Sequence, residues 1–199
     1  MEEYQEILNA TALAETHEQV ADKTSVDYRL RLSCTLENMI TKQLVPTKRM
    51  MVNSDGATEY APAECHALNE ITITRGSAEF MCRFDIYVND VFWTVVQGDG
   101  VMLATPTGST AYNMSCGGPI AHPQAQVVCL TPICPHSLAF RPVILPANAK
   151  ITIALPKDAR TAAWVTFDGQ LKFKMEAEEQ LVIQQSAYCV PFVHWKAQN

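Results

Sequence analysis

The sequence predicts a mainly β protein: an antiparallel β-sandwich with one inserted helix and a further helix at the N-terminus. Three observations carry that prediction. Short alternating or apolar runs recur from residue 25 onward, divided by turn residues, which is the pattern of a sandwich. Three of these runs follow one another with only tight turns between them, as in an antiparallel meander. Helical spacing is confined to two places, the first 24 residues and a short stretch after residue 108.

In residues 1–24 the apolar side chains Tyr4, Ile7, Leu8, Ala12, Leu13 and Val20 fall near helical spacing among Glu and Ala. The spacing predicts an amphipathic connecting helix, with the domain proper over residues 25–199. From Ser25 the period becomes two: Tyr28, Leu30, Leu32 and Cys34 alternate with Asp27, Arg29, Arg31 and Ser33. Residues 37–58 are mixed, with a strand at 50–52 and a hairpin-like connection through Ser54-Asp55-Gly56. Strands are then expected at 66–75, 80–88 and 92–96, joined by Gly76-Ser77-Ala78 and Asn89-Asp90.

Next come an acidic turn, Gly98-Asp99-Gly100, and an apolar run, Val101 to Ala104, short and branched enough for a buried strand. A helix opening near Ser109, capped by hydroxyl side chains, would stop at Gly117-Gly118. Further strands are expected at 127–130, 143–145, 150–155, 163–167, 171–175 and 180–185, with Pro132 and Pro135 interrupting after the first.

A chain of 199 residues can bury a sizeable core, and 48% hydrophobic with 18% charged residues is a globular composition. A net charge of −6 argues against nucleic acid or an anionic membrane as the main partner, although a local basic pocket for a phosphate fits. No apolar run approaches the length of a membrane span, and Glu2 and Glu3 make the start unlike a secretory signal. Seven cysteines, an odd number with no CxxC pair, read as reduced thiols of a cytoplasmic protein. Cys134 and His136 have no second ligand cluster at zinc spacing, so no metal site is expected.

Strand, glycine-bearing turn and helix start together make a place where backbone N–H groups and hydroxyls meet a polar or anionic ligand. Asn69-Glu70 at a strand start can grip two ribose hydroxyls, or be a solvated turn. Asp99 between glycines is either a ligand carboxylate or a turn aspartate bonding its own backbone. Thr110 and Ser115 offer hydroxyls, and the Tyr112 ring offers a flat partner for a base or simple core filling. His136 lies in a loop fixed by prolines, and Asp168-Gly169 reads first as a hairpin turn.

Gly98-Asp99-Gly100 followed by TPTGSTAY, with Leu68-Asn69-Glu70 upstream and TPICPHSL and FDG downstream, resembles the C-terminal half of an NAD kinase. The match runs from about Tyr28 to the end and is densest from Leu68 to Gly169. The resemblance implies that Asn69 and Glu70 hold a ribose of NAD. It implies that Asp99 contacts the ligand, in some members that of a neighbouring subunit. It places Thr107, Thr110, Ala111, Tyr112, Ser115 and His136 around the dinucleotide. The implied reaction makes NADP from NAD with ATP and Mg2+, in a homo-oligomer.

The family's Gly-Gly-Asp-Gly-Thr loop, whose aspartate draws the proton from the adenosine 2′-hydroxyl, is not in this sequence. Gly98-Asp99-Gly100 does not replace it, since it follows the Asn-Glu pair and runs into TPTGSTAY. No catalytic residue is therefore assigned, and the sequence reads as a fragment or truncated form. The competing expectations are a non-catalytic NAD or NADP module, a lipid-kinase relative and an oligomerisation domain.

Overall fold

The computed structural model describes residues 24–45, 50–52, 58–60, 64–136 and 140–195. The expected N-terminal helix and the Ser54-Asp55-Gly56 turn lie outside them, apart from Thr24, which opens the first strand. The described residues form β1 (Thr24–Arg29), β2 (Leu32–Asn38), β3 (Met50–Val52), β4 (Thr58–Tyr60), β5 (Glu64–Ala67), β6 (Glu70–Thr74), β7 (Cys82–Val88) and β8 (Val91–Ala104). A 3-10 turn (Gly108–Thr110) and α1 (Tyr112–Ser115) follow. The chain continues with β9 (Val127–Pro135), β10 (Val143–Pro146), β11 (Ile151–Leu155), β12 (Ala163–Phe167), β13 (Leu171–Met175), β14 (Glu179–Gln185) and β15 (Val190–Trp195). Among these residues no helix is long and apolar enough to cross a membrane.

The chain divides into two units. In the smaller one, β1 and β15 pair antiparallel from Thr24↔Trp195 to Arg29↔Val190. The Arg29 guanidinium lies 5.2 Å over the Phe192 ring, and His194 Nε2 is 3.2 Å from Asp27 Oδ2. The larger unit, residues 30–189, is built on one antiparallel sheet in the order β13-β12-β6-β8-β7-β11-β14-β2-β5, with β9 on the other edge of β8 and β10 beyond it.

Alternation decides which face each strand buries. Leu32, Cys34 and Leu36 of β2, Cys82, Phe84 and Ile86 of β7, and Ala163, Val165 and Phe167 of β12 all point into one core. The sheet curls so that both of its wings contribute to that core, which is the expected sandwich. Each fully buried Ile, Leu or Phe there contributes roughly 1.5–3 kcal/mol.

The centre of the sheet differs from the local expectation. Gly98-Asp99-Gly100 is not a turn but continuous strand within β8. β6 and β7 lie end to end along one edge of β8, with Thr74↔Gly100 and Cys82↔Gly98 on either side of a short excursion over residues 75–81. A Cβ on Gly98 would come within 2.8 Å of Cys134 O and 2.9 Å of Ile133 O, and one on Gly100 would collide with Ile73 O. These glycines answer to strands pressing in from both sides rather than to a reversal of the chain.

Residues 66–75 are likewise not one strand: β5 and β6 are separated by Leu68 and Asn69. β9 runs on through Pro132, because β10 covers it only as far as Leu130, and beyond that point a proline breaks no ladder on that edge.

Residues 105–126 cross the outer face of β8 and β9 and bury Met102, Ala104, Cys129 and Ile133 against Ala121. The C-terminal half of β8 is therefore buried on both faces, as its unbroken apolar run predicts. The expected continuous helix is replaced by the 3-10 turn and a single α turn. Ala111, at φ −91° and ψ −131°, lies outside the helical region and breaks the run. Neither N-cap residue, Thr107 or Ala111, makes a side-chain cap, but Thr105 Oγ1 accepts the N–H of Gly108, the first residue of the 3-10 turn, at 3.1 Å.

Candidate functional site

The interruption at Leu68-Asn69 has a specific cause in the β12–β13 turn. Asp168 (φ +49°) and Gly169 (φ +69°) make that turn, and the Asp168 carboxylate is aimed back at the start of β6. It accepts the N–H groups of Leu68 (2.8 Å), Asn69 (2.7 Å) and Glu70 (3.1 Å). The Asp168 N–H in turn donates to Glu70 O at 3.0 Å. Thr105 holds the other side: its hydroxyl donates to Leu68 O (2.6 Å) and its N–H to Asn69 O (2.8 Å). Gly108 packs so closely on the Asn69 backbone that a Cβ there would collide with the carbonyl. With the main chain of residues 68–70 satisfied in this way, their side chains are left to meet something else.

Glu70 is 7% exposed, and its Oε2 is buried with no hydrogen-bond partner. Burial, and secondly the negative charge of Asp168, push its carboxyl above the ordinary glutamate value. Thr107 Oγ1 is a second buried atom without a partner, three residues past the end of β8 in the turn that packs on Asn69. Buried polar atoms left open in this way are uncommon in a folded chain.

Tyr112 and Cys116 are joined by a side-chain hydrogen bond, and burial raises both groups. Cys116 feels the charges of Cys134 and Glu70, and Tyr112 those of Cys134 and Asp99. Glu70, Cys116, Tyr112, Cys134 and Asp99 thus belong to one electrostatic neighbourhood. Asp99 is held by Arg75, whose Nε lies 2.7 Å from its Oδ1; the same guanidinium also bonds Ala78 O.

The turn itself is pinned by buried polar groups. Ser109 Oγ donates to Pro106 O (2.7 Å) and accepts the Ala121 N–H (3.1 Å). Asn113, fully buried, donates to Ser109 O and Pro119 O and accepts from Thr131 Oγ1 at 2.7 Å. Both of its amide protons and one lone pair of its oxygen are used inside the protein, so Asn113 staples the turn.

Of the residues singled out in the sequence, Asn69, Glu70, Thr107 and Tyr112 are brought to this turn, with Asp99 at its edge. Thr110 and Ser115 are exposed on the same turn and Ala111 is half-buried between them. His136 is exposed at the end of β9, its backbone N–H donating to Gln97 O. Sequence reasoning took Asp168 for a hairpin residue, which it is, but could not see it clamping a segment 98 to 100 residues away. Arg75 had no local signal at all. Among the described residues no group of three His, Cys, Asp or Glu can hold a metal.

Two clefts of about 510 Å³ each open elsewhere, one beside Phe80, the other beside Lys42 and Tyr87, and neither includes Glu70. Tyr112, 45% exposed, leaves the Glu70 neighbourhood an open surface.

Comparison with known proteins shows what the chain is similar to. Residues 68–195 match the ATP-NAD kinase C-terminal domain. An ATP-NADH kinase of Saccharomyces cerevisiae is 37% identical over 179 residues, 89% of this chain and 35% of that protein. The yeast NADH kinase structure complexed with NADH superposes with a TM-score of 0.66 at 29% identity, over 87% of this chain and 46% of the other. An NAD kinase from Archaeoglobus fulgidus in complex with ATP gives 0.64 at 25% identity, over 94% and 59%. The chain thus spans less than two thirds of each of these relatives. With its buried strand, Asp168-clamped Asn-Glu pair and pinned turn covered by the matched segment, the chain belongs to the ATP-NAD kinase C-terminal domain family.

Proposed function

We propose that residues 25–199 supply the dinucleotide-binding domain of an NAD kinase, which transfers a phosphoryl group from ATP to the 2′-hydroxyl of NAD. The observation that carries this reading is the pair of buried, unpartnered acceptor atoms, Glu70 Oε2 and Thr107 Oγ1, beside a backbone locked by Asp168. A carboxylate that accepts two hydroxyl protons, next to an amide that donates and accepts, is the chemistry a ribose diol requires. Asn69 and Glu70 take the ribose. The Tyr112 ring, the Thr107, Thr110 and Ser115 hydroxyls and the Ala111 backbone line the remainder, with Asp99 and His136 at the margin.

The chain's own residues bind and orient the dinucleotide; the proton is taken by the aspartate of a loop this sequence lacks. Phosphoryl transfer is mostly positioning and charge stabilisation. In the complete enzyme Mg2+ would neutralise charge on the ATP phosphates. The described residues offer no three-ligand cluster for it, so no step here runs through it.

The open side of the Glu70 neighbourhood suits closure by a second body, either the rest of the enzyme or another subunit of a homo-oligomer. Exposed Met114 and Ile120 flank the turn and fit such a contact. Seven free cysteines fit a reducing compartment, and we place the protein in the cytoplasm.

Calorimetric titration with NAD tests the assignment. Asn69→Ala and Glu70→Ala are each expected to weaken binding by about 1–3 kcal/mol, the usual loss when a buried polar contact is stranded. Unchanged affinity in both variants would remove the ribose assignment.

A further inference from the structure

The excursion of residues 75–81 forms one wall of a cleft that the dinucleotide site does not use. Its other wall is the turn between β11 and β12, and Glu79, Arg83, Gln97 and Asp158 are among the residues lining it. The wall is built rather than loose. Gly76, at φ +60°, packs its backbone against the Trp164 indole so tightly that a Cβ would collide with the ring. Arg75 ties the base of the excursion through its bonds to Asp99 and Ala78 O.

The two arginines of the cleft are in different situations. Arg83 is committed, with Asp158 Oδ2 at 3.1 Å and Asp85 Oδ1 at 3.4 Å. Arg160 sits over the Phe80 ring at 5.9 Å and has no acidic partner among the described residues. A guanidinium carries a planar fork of N–H groups that can take a carboxylate or phosphate in pairs. Phe80 and Met81 are about half exposed at the same rim, so an apolar body attached to the anion has a surface to cover. At about 510 Å³ the cleft is too large for a bare anion and fits the range of small organic ligands.

We propose that this cleft is a second ligand site, separate from the dinucleotide site, for a small organic oxyanion. Arg160 holds its carboxylate or phosphate, and Phe80 and Met81 cover its apolar part. Arg83, already neutralised by Asp158 and Asp85, lines the cleft without adding to the anion's grip.

Three probes separate the parts: phenyl phosphate, benzoate and inorganic phosphate, each titrated calorimetrically into the full chain. Phenyl phosphate is expected to bind with a Kd on the order of 1 mM or below, and inorganic phosphate about tenfold more weakly for want of the ring contact. A preference of phenyl phosphate over benzoate assigns the anion as phosphate; the reverse assigns it as carboxylate. Arg160→Ala is expected to weaken either by about tenfold or more, and Arg160→Lys by an intermediate amount, because an ammonium keeps the charge without the fork. Arg160 is exposed, so neither variant threatens the core. Glu70→Gln should leave probe binding unchanged. Binding that survives Arg160→Ala, binding lost in Glu70→Gln, or no binding of any probe would each overturn the proposal.

Discussion

The surroundings of Glu70 disfavour the charged form of its side chain. Burial and the nearby Asp168 charge raise its pKa above the ordinary 4.5. Between that value and the raised one, the folded chain holds more protons than the unfolded chain, so stability falls as pH rises through the window. The cost is complete only above the raised value. Glu70→Gln removes the charge and is expected to stabilise the free protein at pH 7 by about 0.5–2 kcal/mol while weakening NAD binding. Thermal melts should show that gain shrinking towards zero below pH 4.5. A gain independent of pH would mean that packing, not charge, is responsible. Asp168 acts in the opposite sense: Asp168→Ala strands three N–H groups and is expected to cost about 2–3 kcal/mol by chemical denaturation. At this scale the sequence singled out the Asn-Glu pair, and the structure places it at the start of β6 with the Glu70 carboxylate buried. The Asp168 clamp was not legible, since nothing local says which backbone a turn carboxylate will face.

The strand that carries the site, β8, shows why local pattern misplaces an element. Glycines on either side of an aspartate ordinarily signal reversal of the chain. Here they are required by close strands, with Ile73 O crowding Gly100 and the Ile133 and Cys134 carbonyls crowding Gly98. The two causes leave the same letters in the sequence and differ only in register, which no short window contains. They separate in mutants. Gly100→Ala forces the backbone of β6 to move and is expected to cost about 1–3 kcal/mol. Gly117, at φ +74° with nothing within 4 Å, bears only the left-handed penalty, and Gly117→Ala should cost about 1–2 kcal/mol. NAD affinity discriminates further, since Gly100→Ala should disturb Asp99 and Glu70 together whereas Gly117→Ala should spare both. Equal affinity losses in the two variants would argue against a close-packed β8.

For the whole molecule, the class of fold was legible because inward alternation recurs in strand after strand, as at Cys82, Phe84 and Ile86. The order of strands was not, since β6 and β7 share an edge of β8 only by virtue of the excursion between them. That topology also decides what the chain can do alone. On the proposed reading its polar groups hold a dinucleotide, and no residue of this sequence is assigned as the base that ionises the 2′-hydroxyl. Effective positioning of two reactants is worth about 7–11 kcal/mol of barrier, and a chain holding one of them forgoes most of it. The 199-residue chain is therefore expected to bind NAD but to form NADP from NAD, ATP and Mg2+ only at the uncatalysed rate. A fusion supplying a Gly-Gly-Asp-Gly-Thr-bearing domain upstream should restore turnover, and Glu70→Ala in that fusion should abolish it. Turnover by the chain unaided would place the base among these residues and end the division of labour proposed here.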